Sequence, residues 1–88
     1  MPRVVIRRQA RDQLAALPSL LQEAVENAID HLARDPRAIG YHLMGRLRGR
    51  RSAKVGNYRV IYTIEGSLHE LVVVQAIRHR AVAYGHRR

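Results

Sequence analysis

The stretch that most limits what this chain can become runs Lys54-Val55-Gly56-Asn57-Tyr58-Arg59-Val60-Ile61-Tyr62-Thr63-Ile64. Gly56-Asn57 is a two-residue link of the Gly-X kind, because glycine accepts the positive φ that a type II′ hairpin turn requires. From Tyr58 to Ile64 the residues are mostly β-branched or aromatic, as in a strand with one face packed. If Val55 pairs with Tyr58 across the link, then Lys54 lies opposite Arg59, Ala53 opposite Val60 and Ser52 opposite Ile61. Side chains alternate between faces along each strand. One face therefore carries Ala53, Val55, Tyr58, Val60, Tyr62 and Ile64 and reads as core. The other carries Arg50, Ser52, Ile61 and Thr63, with Lys54 directly beside Arg59. Like charges directly opposed on paired strands are destabilising. Two cations kept in that position point to an anion that binds there.

The charge distribution agrees. Residues 1–40 hold six Arg against five acids, and residues 41–88 hold nine Arg and one Lys against Glu65 and Glu70, so +1 and +8 make the net +9. A half-chain this basic attracts phosphate polymers, with association that weakens as salt rises. Eighty-eight residues suit one domain, spanning 1–88. The absence of cysteine leaves no disulfide framework and no thiolate chemistry, which fits a cytoplasmic location. Val4-Val5-Ile6 is far short of a signal-peptide core, and Leu71–Val74 is far too short to span a bilayer, so no membrane partner is expected.

In chain order, Arg3-Val4-Val5-Ile6 reads as a short strand. A helix follows from Arg7 or Arg8, with Ala10, Leu14 and Leu17 at helical spacing until Pro18 stops the pattern. Ser19 reads as an N-cap, with Gln22 completing a capping box. The second helix carries Leu21, Val25, Ala28 and Leu32 on one stripe and ends at Asp35-Pro36, since the residue before proline is disfavoured in the helical region. Two helices joined by a Pro-Ser link form an antiparallel pair. Leu43 to Arg48 is a short strand or an extended lead-in. Glu65-Gly66-Ser67 marks a second turn, and Glu70 to Ile77 is apolar on both faces apart from Gln75, as in a strand central to its sheet. The expected fold class is α+β, with two N-terminal antiparallel helices on one face of a mostly antiparallel four-stranded sheet.

These pieces in this order resemble the RelE/ParE superfamily of bacterial type II toxins, and within it the RelE-like messenger-RNA endonucleases. The resemblance rests on the helical hairpin closed by Leu17-Pro18, the Asp35-Pro36 exit and the Leu43-to-Gly49 lead-in. It rests further on Ser52 to Tyr62 and on the ending Ile77-Arg78-His79-Arg80-Ala81-Val82-Ala83-Tyr84. It implies a RelE-like microbial ribonuclease fold and a toxin that enters the A site of the small ribosomal subunit, against ribosomal RNA, and cuts mRNA there. In that reaction, which uses no metal or other cofactor, the 2′-hydroxyl attacks the adjacent phosphate. It also implies an acidic cognate antitoxin protein as partner.

Carried over residue by residue, the resemblance implies catalytic roles for Lys54, Arg59, Tyr84 and either Arg78 or Arg80. Ser52 falls where some relatives place a catalytic lysine; Arg50 is the nearby candidate to compensate, although a guanidinium does not readily lose its proton. Arg48, Arg50, Arg51, Ser52, His79 and His86 form the expected RNA- and phosphate-binding set. Arg59 with Arg78 or Arg80 suits a pentavalent phosphorane, because a planar guanidinium grips two phosphate oxygens. Lys54 beside a like charge is a candidate base, with a purely electrostatic role as the alternative. Tyr84 suits stacking on a base or proton donation. His79 and His86 are acid or base candidates, as histidines are in many nucleases. No spacing of His, Asp and Glu suggests a metal site. Two other functions remain open: a ParE-like toxin that inhibits DNA gyrase by binding protein, and a catalytically inert RNA- or antitoxin-binding member.

Overall fold

The computed structural model describes residues 3–83. Strand β1 (Arg3–Ile6) leads into helices α1 (Arg8–Ala15) and α2 (Ser19–Arg34). After them come β2 (Tyr41–His42), a 3-10 turn at Gly45–Leu47, β3 (Arg51–Val55), β4 (Tyr58–Glu65) and β5 (Leu71–His79). The sheet has five strands in the order β1-β5-β4-β3-β2, with β1 parallel to β5 and the other pairs antiparallel. The expected architecture therefore stands, with one strand more than the four anticipated.

The central hairpin has the anticipated register: Val55 faces Tyr58, Lys54 faces Arg59, Ala53 faces Val60 and Ser52 faces Ile61. Gly56 adopts a φ of 59°, the conformation the link demands. Ala53, Val60, Tyr62, Val72, Val74 and Ile77 project to one side, where Ala10, Leu17, Val25, Ile29 and Leu32 of the helical layer close over them. α1 packs on β5, and α2 on β3 and β1. Ile29 joins the expected stripe of α2 because its position, one turn from Val25, shares the same face.

The helical corner departs from expectation. Ser19 is the first residue of α2 and Pro18 its N-cap, with no side-chain capping bond. Pro18 suits the junction because its fixed φ is compatible with helix entry and it has no N–H to satisfy. Gln22 turns backwards instead, its Nε2 donating to the carbonyls of Leu17 (2.9 Å) and Ala15 (3.1 Å). It thus covers the exposed C-terminal carbonyls of α1 rather than the amides of α2.

Leu43 to Arg48 is neither of the two extended forms expected. The extended pairing comes earlier, at Tyr41–His42, and the segment then coils through local bonds from Leu47 N to Met44 O and from Arg48 N to Gly45 O. That turn lets Leu43 and Leu47 both pack on Ile61 and Ala76, forming a small second cluster on the sheet face away from the helices.

β5 lies between β1 and β4, as its two-sided apolar pattern requires. It contains a bulge: Ile61 pairs with Ala76 but Tyr62 pairs with Val74, leaving Gln75 as the extra residue. Beyond a one-residue bulge the in-out alternation inverts. Val72, Val74 and Ile77 accordingly face the helices, while Val73, Gln75, Ala76 and Arg78 take the open face.

Candidate functional site

The open face is built around a row of three cations. Lys54 on β3 stands opposite Arg59 on β4, which stands opposite Arg78 on β5. The bulge decides the third member, because simple alternation from Val74 would have turned His79 to this side and Arg78 to the helices. Lys54 is exposed, Arg78 half-buried and Arg59 only 9% exposed. None of the three makes an ion pair with a described residue. The acid on this face of the hairpin is Glu65, six residues along β4 from Arg59 and so about 20 Å away at the usual strand rise.

Arg59 is held in a specific pose. Its Nη1 donates to the carbonyls of Tyr58 (2.9 Å) and Gly56 (3.2 Å), which fastens the guanidinium to the hairpin turn. Its Nε is buried without a hydrogen-bond partner among the described residues. A buried, unpartnered donor on a charged group is costly, and such a group is stabilised by an acceptor supplied from outside. Next to the row, Gln9, Leu47, Arg50, Ile61, Gln75, Ala76, Arg78 and Ala83 line a cleft of about 210 Å³. Leu47, Ile61 and Ala76 form the apolar part of its lining, the last two largely covered by the Leu43–Leu47 turn, and Arg50 and Arg78 add two guanidinium groups.

The other expected site residues divide. Arg50 joins the face, and Arg48 is exposed just after the 3-10 turn. Ser52 lies on the same face but is wholly buried beneath its surroundings and already has an interaction partner. Arg80 stands past the end of β5, outside the row, its backbone N–H donating to Asn57 O at 2.8 Å. Tyr84 and His86 lie outside the described residues.

Two residues belong to the opposite side. His79 pairs with Tyr58, the rings meeting edge to face with centroids 5.4 Å apart, and its Nδ1 accepts the Ala81 N–H. Arg51 shares the helix-side face with Ala53 and Val55, and its donors are occupied. Nε donates to Tyr62 Oη, Nη1 to His42 Nε2, and Nη2 to the carbonyls of Arg37, Ile39 and Gly40. Arg51 and His79, both in the expected RNA- and phosphate-binding set, therefore lie on the helix-side face of the sheet and not on the face of the cation row. Arg51 instead pins the 37–42 loop to β3, at a place where a Cβ on Gly40 would come within 2.6 Å of Tyr62 Oη.

The family relationship is decided by comparison. A family model described as the ParE toxin of the type II toxin-antitoxin system parDE matches residues 4–84. The chain belongs to the RelE/ParE toxin superfamily. It is 38% identical to Toxin RelG of Mycobacterium tuberculosis over 74 residues, 84% of each chain. Toxin RelE of the same organism is 33% identical over 79 residues, 89% of this chain and 81% of that one. A solved toxin–antitoxin complex from M. tuberculosis, RelBE2, contains a chain 36% identical to this one with a TM-score of 0.79. That match covers 91% of this chain and 100% of the other. The protein is accordingly a RelE/ParE-type toxin of a type II toxin–antitoxin system.

For this RelE/ParE toxin, reading the sequence without its structure overlooked the surroundings of the row. Gln75, Thr63 and Glu65 form a connected polar line beside the cleft, with Gln75 Nε2 donating to Thr63 Oγ1 (3.1 Å) and Thr63 Oγ1 to Glu65 Oε2 (2.9 Å). The available signal was Gln75 as the single polar residue between Leu71 and Ile77. Among the described residues no group of three His, Cys, Asp or Glu side chains comes together as metal ligands, and no helix is long and apolar enough to cross a membrane.

Proposed function

We propose that this toxin is a ribosome-dependent endoribonuclease that cleaves mRNA in the A site of the small subunit, acting in the cytoplasm and arresting translation. The observation that carries the reading is the Lys54–Arg59–Arg78 row with the orphaned Nε of Arg59. In this reaction the 2′-oxygen bonds to the adjacent phosphorus as the bond from phosphorus to the 5′-oxygen breaks. A cyclic phosphate and a free 5′-hydroxyl result. Arg59 and Arg78 bind the non-bridging oxygens and neutralise the charge that grows on them in the phosphorane. Ser52 is too deeply buried to meet the attacking hydroxyl, so Lys54 is the row's remaining group to receive its proton. Tyr84 is the candidate for returning a proton to the leaving oxygen or for stacking on a base. An acidic antitoxin covering the same cations accounts for inhibition, in keeping with the RelBE2 neighbour being a toxin–antitoxin complex.

The test is primer extension on mRNA translated in the presence of the purified toxin. New 5′ ends within codons are expected, and they should vanish when translation is blocked before ribosomes engage the message. Intact mRNA at toxin levels that arrest growth would overturn the reading. The match to the ParE family model favours one second reading, gyrase inhibition through protein contact. Loss of supercoiling activity with purified gyrase and toxin would support it.

A further inference from the structure

The polar line beside the cleft has a direction, and the direction has a consequence. A carboxylate only accepts hydrogen bonds, so the Thr63 hydroxyl donates its one hydrogen bond to Glu65 Oε2. Thr63 Oγ1 then has only lone pairs to offer Gln75, which fixes the amide with Nε2 toward Thr63. The Gln75 carbonyl oxygen is left without a protein partner among the described residues, on a side chain that lines the cleft. The bulge at Gln75 brings this amide to the open face, and bulges commonly re-aim a side chain beside a functional site. Leu47, Ile61 and Ala76 supply the apolar part of the lining next to it, and the Ile61–Ala76 pair stands one two-residue step, about 7 Å, from the Arg59–Arg78 pair.

We infer that the cleft is a nucleobase subsite in which Gln75, oriented through Thr63 and Glu65, accepts a hydrogen bond from the exocyclic amino group of adenine or cytosine. The inference rests on the endoribonuclease reading and adds to it a source of base selectivity. Uracil carries a carbonyl where these two bases carry the amine, so it would set an acceptor against the Gln75 oxygen. Gln9, Arg50 and Arg78, which also line the cleft, are donors available to the acceptor nitrogen beside that amine. Thr63 and Glu65 are positioning residues, acting only through the amide.

Two measurements test this. In the first, primer extension maps cleavage on translated reporters that differ at one codon base. In the second, fluorescence anisotropy measures binding of short, uncleavable single-stranded oligonucleotides with adenine, cytosine or uracil at one position. Wild-type protein should favour adenine and cytosine over uracil by at least about fivefold, the range of one net hydrogen bond. Gln75→Leu should bring the ratio to within about twofold. Thr63→Val should reduce it as well, while Thr63→Ser, which keeps the hydroxyl, should retain it. Circular dichroism melts identify any variant that has failed to fold. A ratio near one in wild type, or one unmoved by Gln75→Leu and Thr63→Val, overturns the inference even if mRNA is cut. Uncut mRNA together with a Gln75-dependent binding preference would sink the nuclease reading and leave the subsite standing.

Discussion

Arg51 and Arg59 are equally buried, each 9% exposed, and sit on paired strands of one hairpin. Their surroundings are opposite. Arg51 faces the helices and directs its donors at a hydroxyl, an imidazole and three backbone carbonyls. Arg59 faces outward, flanked by Lys54 and Arg78, and holds one buried donor that no described residue satisfies. Burial alone therefore says nothing about role. Whether the donors have acceptors separates the two: Arg51 is satisfied within the fold, and Arg59 keeps a buried donor beside like charges, as the proposed phosphate site requires.

The sharpest way to break this contrast is to remove each arginine in turn. Arg59→Ala should reduce mRNA cleavage by about 10²–10³-fold, the usual effect of deleting a group that stabilises transition-state charge. Its melting temperature should hold or rise, because a buried donor and a like-charge contact both disappear. Arg51→Ala should do the reverse. It strands the loop carbonyls and should destabilise the protein by about 2–4 kcal/mol, with activity per folded molecule largely kept. Arg51→Lys should not rescue it, since one ammonium cannot reproduce a planar fork of five donors. Urea titration and primer extension on the same preparations separate the two outcomes. Loss of activity without loss of stability in Arg51→Ala would erase the distinction.

Tyr62 offers a smaller probe of the helix-side network. Its hydroxyl lies 2.8 Å from Pro36 O and 2.6 Å from Ile39 O, with one proton to give, and accepts from Arg51 Nε. Tyr62→Phe keeps the ring in the core and removes only these bonds. Urea midpoints should report a loss of about 1–2 kcal/mol, with cleavage unchanged. An unaltered midpoint would mean that the Arg51 network holds the loop without the hydroxyl.

The two arginines also show how much a sequence can disclose. The hairpin register was legible because a two-residue Gly-Asn link leaves little choice of pairing, and period-two alternation then assigns every face. The Lys54–Arg59 contact followed from that alone. The same parity puts Arg51 with Ala53 and Val55, but composition grouped it with its basic neighbours. The carbonyls that receive its donors come from a loop whose path no local pattern encodes. The choice between Arg78 and His79 was hidden for a different reason. It depends on the single extra residue at Gln75, and a bulge leaves no period of its own in a strand of Val and Ala. Gln22 illustrates the same limit at the helical corner, where Ser-x-x-Gln has the spacing of a capping box, yet Pro18 took the cap and freed the amide to face the other helix.

The smallest expected effect lies at the rim of the helix-side network, where Arg37 Nη1 meets Glu70 Oε1 at 2.7 Å. The hydrogen bond from Arg37 holds the Glu70 carboxyl below its usual range, against a weaker opposing effect of desolvation. The same bond raises Arg37, which is charged throughout. A carboxyl whose proton affinity falls on folding stabilises the native state above the ordinary carboxylate range. That contribution is lost as pH drops through the range toward the lowered value. Wild type should therefore lose more stability than Glu70→Gln between about pH 6 and pH 3. The pair is exposed, so the difference should be slight at physiological salt and absent near 1 M salt. Melts of both proteins across that pH range, at low and high salt, read it directly. A gap that persists in high salt would mean that the pair is coupled to the Arg51 loop through the Arg37 carbonyl, rather than lying at its margin.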